Sequence, residues 1–143
     1  MASFVKFECF TCDLANKIHN LGADALKIML TNTGPTAATD RKRCDITEVS
    51  PGGGYTAGGC AVTVTASTQS GGVYKLVGND VTWLASGGQA TGPFRYVVLY
   101  NSTPTNPNGA LIGYWDYGSS ISINVGETFT VDLDQTNGIL TIT

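Results

Sequence analysis

The chain has 143 residues, 18 of them glycine, and carries 8 Lys and Arg against 11 Asp and Glu for a formal net charge of -3. That length suits one domain with a core of its own, and weak acidity offers no pull toward nucleic acid or an anionic membrane. No run approaches the roughly 20 apolar residues of a membrane-crossing helix. The opening MASFVKFECF lacks a long apolar segment and a cleavage pattern, so we expect a protein made and kept in a cytosol. Such a compartment favours free thiols at Cys9, Cys12, Cys44 and Cys60.

Residues 1–22 predict an N-terminal arm and a helix. Phe4, Val5, Phe7 and Phe10 give the terminus much apolar surface, which either docks on a neighbouring subunit or pairs as an edge strand. Thr11 or Asp13 can cap a helix. Leu14, Ile18 and Leu21 then recur at helical spacing up to a stop at Gly22. Ala25–Thr31 alternates as a strand, Ala37–Arg43 is a polar turn, and Asp45–Ser50 is extended. Pro51–Gly59 holds too many glycines for a regular element.

From Cys60 onward the chain reads as β. Cys60–Ser67 alternates, and Val73–Val77 and Asp80–Ala85 meet at Gly78–Asn79, a hairpin-turn signal. Phe94–Tyr100 and Leu111–Tyr117 predict a central antiparallel hairpin looped at Asn101–Gly109, with Phe94, Tyr96, Val98 and Tyr100 on one face. Ser119–Val125 places Ile121, Ile123 and Val125 together. Glu127–Leu133 turns Phe129, Val131 and Leu133 inward, and Asn137–Gly138 signals a last hairpin turn before Ile139–Thr143. The sum is a mainly β chain: an antiparallel β-sandwich or jelly-roll-like domain over 1–143 with one short N-terminal α-helix.

Chemistry-bearing residues are sparse. Cys9-x-x-Cys12 lacks a second close-set pair, because Cys44 and Cys60 lie far apart. His19 is the one histidine, and no G-x-S-x-G nucleophile elbow occurs. Asp116, Asp132 and Asp134 invite a two-carboxylate glycosidase reading, but alternation puts Asp132 and Asp134 on a solvent face. Arg41–Arg43 is bracketed by Asp40 and Asp45, which cancel much of its field. The glycine runs match neither a P-loop nor a dinucleotide fingerprint. We therefore assign no catalytic residue, no cofactor and no metal ligand.

The segments DLANKIHNLGADALKIMLTNT, GYTAGG, YKLVGNDVTW, GPFRYVVLYN, LIGYWDYGSSI and GETFTVDLD resemble a family of small structural proteins of tailed bacteriophages, over nearly the full length. The resemblance implies a virion component assembled in the bacterial cytoplasm. The expectation is a capsid decoration (cement) protein on the virion surface. It would bind the major capsid protein as a symmetric oligomer, a homotrimer, with Phe4, Val5, Phe7 and Phe10 as anchor. Two alternatives accompany it. One is a tail or head-fibre component presenting Tyr55, Tyr114 and Tyr117. The other is a carbohydrate-binding or hydrolytic module using Trp83, Trp115 and Asp116.

Overall fold

A computed structural model describes residues 2–143. The chain is mainly β with antiparallel sheets and one α-helix among the described residues. In order, the elements are β1 (Phe4–Lys6), α1 (Glu8–Ala15), β2 (Leu26–Thr31), β3 (Cys60–Ala61), β4 (Val64–Ser70), β5 (Val73–Gly78), β6 (Val81–Leu84), β7 (Thr91–Thr105), β8 (Asn108–Ile123), β9 (Thr128–Val131) and β10 (Leu140–Ile142). They form a five-stranded sheet ordered β1-β8-β7-β2-β3, a three-stranded sheet β10-β5-β4 and a two-stranded sheet β6-β9. The arrangement is sandwich-like, because the main buried cluster takes side chains from all three. Leu26, Ile28, Leu30, Val97, Leu99 and Ile112 come from the large sheet, Leu76 and Leu140 from the second, and Val81, Trp83 and Val131 from the third. A smaller cluster of Phe7, Met29, Ile46, Val98, Tyr100 and Leu111 covers the other face of the large sheet.

The central hairpin is longer than the sequence suggests. β7 has 15 residues and β8 has 16, and Thr105 pairs with Asn108 across a tight turn at Asn106–Pro107. The polar residues expected to be a loop remain strand because the start of β2 satisfies them. Ser102 N donates to Ala25 O at 2.9 Å, and Ala25 N donates to Thr103 Oγ1 at 2.8 Å. Asn101 is wholly buried. At the other end β8 runs straight through Gly118–Ser120 to Ile123, so the separate strand expected over Ser119–Val125 is part of it, and Val125 is exposed.

The predicted face assignment holds for Val98 and Tyr100 and fails at Phe94. Pairing slips between Phe94 and Tyr96, within the stretch that separates Phe94 from Val97. An irregularity of this kind breaks the alternation of faces along a strand. Phe94 therefore shares the main core with Val97 and Leu99, while Val98 and Tyr100 point to the second cluster.

Two turn signals are not hairpins. β5 pairs with β4 and β10, and β6 pairs with β9, so Gly78–Asn79 and Asn137–Gly138 carry the chain between sheets. The tight hairpin is instead β4–β5. Its two-residue turn, Gly71–Gly72, has φ of 59° and 82°, the left-handed pair that glycine adopts without strain.

The helix also sits earlier than expected, over Glu8–Ala15 rather than Thr11–Leu21. Phe7 and Phe10 are 0% and 4% exposed, and their burial fixes the first turn. The helix ends in a Schellman arrangement: Ile18 N donates to Asp13 O at 2.8 Å, and Lys17 N to Leu14 O at 3.3 Å. Lys17 takes the left-handed position at φ 64°.

Candidate functional site

β8 pairs with β1 on one side and β7 on the other, which fixes Trp115 opposite Phe4 and Val97. Trp115 and Tyr117 are two residues apart and share a face. β9 approaches that face with Phe129. The result is a groove of about 390 Å³ lined by Phe4, Val97, Trp115, Tyr117, Phe129, Val131, Leu133 and Ile139, with Asp132 and Asp134 beside them. Its aromatic rings support one another: Phe4 and Trp115 centroids are 5.0 Å apart, Tyr117 and Phe129 are 5.8 Å apart edge to face, and Phe129 sits 4.8 Å from Phe94. Tyr117 is 53% exposed.

The charge of this groove is one-sided. No Lys or Arg is among its described lining residues. Asp134 accepts from Asn137 N and Thr136 N at 2.8 Å and from Asn137 Nδ2 at 2.7 Å. These donors, those of Asn137 foremost, hold its carboxyl below the usual range. Asp116 is not part of the groove: Arg95 Nε and Nη2 donate to its two oxygens at 2.8 and 3.0 Å. That pair lowers the Asp116 pKa.

The other sequence candidates are dispersed. Tyr55 is 3% exposed and belongs to no surface. Its hydroxyl donates to Glu48 at 2.7 Å and accepts from Leu30 N at 3.1 Å, and burial pushes its pKa far up. Tyr114 is half-buried, 5.3 Å from Phe7, so of the three tyrosines only Tyr117 is exposed. Trp83 is core, at 2%. The arm reading also changes. Phe4–Lys6 is an edge strand on β8, Phe7 and Phe10 are core, and Val5 alone of the four is exposed.

The basic run is used internally. Arg43 reaches Glu48 at 3.0 Å, and Arg41 lies 3.7 Å from the buried Asp13. Glu48 also accepts from Gly58 N, tying the glycine loop down. Cys9 and Cys60 are half-buried and Cys12 and Cys44 exposed, all as free thiols. No group of three or more His, Cys, Asp or Glu suited to a metal occurs among the described residues.

His19 lies beyond the helix, 6% exposed. Asn101 Nδ2 donates to Asp24 Oδ2 at 2.6 Å and lies 3.2 Å from His19 Nδ1. Because Asn101 Oδ1 accepts from Thr103 N at 3.1 Å, its amide orientation is fixed and His19 Nδ1 is assigned as the acceptor.

The groove was only partly legible in advance. Trp115 and Tyr117 each appeared as aromatic candidates, and their spacing of two was the available signal. That Phe4 and Phe129 join them depends on strand order, which alternation does not supply. No protein-family model, curated protein or solved structure matches the chain.

Proposed function

We propose that the chain is a virion structural protein, a capsid decoration protein that docks on the assembled major capsid shell through the groove of Phe4, Trp115, Tyr117 and Phe129. The observation that carries this reading is the groove: four aromatic rings, one of them 53% exposed, beside carboxylates and without a Lys or Arg among the described lining residues. Trp and Tyr are the residues most enriched at binding hot spots. An apolar trough rimmed by carboxylates suits a partner segment with apolar side chains and a Lys or Arg. The candidate carboxylates support binding over reaction, since Glu48 and Asp116 outside the groove and Asp134 beside it are each engaged in tying backbone or a neighbouring side chain in place. The phage resemblance supplies the choice of the capsid as partner.

The test is co-sedimentation of the purified protein with expanded shells of the same virus's major capsid protein. The expected result is saturable binding at a fixed ratio to shell subunits, weakened about tenfold or more by Trp115→Ala or Tyr117→Ala, as hot-spot truncations cost about 2 kcal/mol or more. Absence of binding to shells overturns the reading. Gold labelling confined to tails or fibres on intact virions would transfer the groove to the tail or head-fibre alternative.

A further inference from the structure

The outer edge of β4 has no strand paired to it among the described residues. An open strand edge is a template for another strand, and proteins guard such edges with charge, proline, bulges or brevity. The other edges here are guarded. β3 has two residues and β10 three. β1 carries Lys6 and is followed by Glu8, and β9 is bracketed by Glu127 and Asp132. β6 has four residues, and the glycine loop closes on its end, where Gly54 lies against Leu84 O and Ser86 N donates to Gly53 O.

β4 is different. It has seven residues, VTASTQS, within a run that holds no charged side chain between Glu48 and Lys75 and no proline after Pro51. Its one bulge lies at the start, between Val64 and Ala66. Ser67–Ser70 are all exposed; the chain at Gly22 lies against the Ser67 side chain, and Thr68–Ser70 stand clear of it.

We infer that the β4 edge is a self-association surface, on which two copies of this chain pair antiparallel across a two-fold axis. The occupant follows from charge and symmetry. An isologous contact sets a strand against itself, so a charge near the axis would meet its own copy. A strand without charge meets no such repulsion, whereas selection for a charged foreign strand would leave a complementary charge on this one.

The register identifies the groups involved. Across the two-residue turn, Ser70 faces Val73 and Thr68 faces Lys75. In a hairpin of this kind those pairs exchange backbone hydrogen bonds, so the N–H and C=O of Ser67 and Gln69 point outward. With the axis at Thr68, Ser67 of one copy exchanges bonds with Gln69 of the other, and the three-stranded sheet continues into its partner. The surface is remote in sequence from the groove residues, and the pairing does not rest on the capsid reading.

Sedimentation velocity of the purified chain across micromolar to millimolar concentration tests this. The expected result is a concentration-dependent dimer. Gln69→Pro removes an outward donor from each copy and should weaken dimerisation about tenfold or more. Thr68→Glu sets two carboxylates together at the axis while facing Lys75 within its own chain. It should abolish the dimer with unchanged or raised thermal stability of the monomer. A wild-type chain that stays monomeric at millimolar concentration, a trimer, or a dimer that survives Thr68→Glu in a folded protein overturns the inference.

Discussion

Gly113 tests whether the N-terminal strand is an integral part of the sheet. It pairs with Lys6 and lies under Phe4. A Cβ built there would stand 2.1 Å from Phe4 Cζ, 2.3 Å from Phe4 Cε2 and 2.9 Å from Val5 O. The backbone at Gly113 is not left-handed, so the effect of Gly113→Ala is steric alone. The Phe4 ring is packed on Trp115 and must leave that position or carry β1 outward with it. Overpacking of this kind costs about 1–3 kcal/mol. Phe4→Ala alone should cost about 1–2 kcal/mol, since the side chain is half-buried and full burial of a Phe is worth about 1.5–3 kcal/mol. Once the ring is gone the new methyl has room, apart from the contact with Val5 O. The double variant should therefore be more stable than the sum of the single costs predicts, by about 1 kcal/mol or more. Urea unfolding of the four proteins, followed by far-UV circular dichroism, measures the cycle. Additive costs within about 0.5 kcal/mol would refute the packing of Phe4 over Gly113 and return the N-terminus to the separable arm that its sequence suggested.

Two further predictions concern the segment after the helix. Lys17 is an exposed side chain in a left-handed backbone position, so Lys17→Gly should stabilise by about 0.5–1 kcal/mol and raise Tm by a few degrees; a fall in Tm would contradict the helix ending seen here. Burial lowers the His19 pKa despite the opposing fields of Asp13 and Asp24. The unfolded chain therefore binds this proton first. Stability should be fully present above the unfolded value of about 6.5 and fall as pH drops through the lowered folded value, reaching a plateau below it. His19→Gln should remove that slope. The carboxylates Asp116 and Asp134 have lowered values too, but their loss lies in the separate window below about pH 4.

The elements legible in the sequence are those whose pattern is local. β2 follows from Leu26, Ile28 and Leu30 alternating with Lys27, and β9 from Phe129 and Val131 set against Thr128 and Thr130. The sandwich class followed from many such runs. What the sequence left undecided was set by distant partners. The helix began at Glu8 because Phe7 and Phe10 found core positions that no local capping signal could announce. The hairpin kept its polar tip in strand form because Ala25 supplied hydrogen bonds from 77 and 78 residues away. Alternation fixes which side chains share a face only while register holds. The pairing irregularities between β7 and β8 and the meeting of β1, β8 and β9 are tertiary facts, and with them comes the groove. Side-chain periodicity is a property of one strand; neighbour order and register are properties of the sheet.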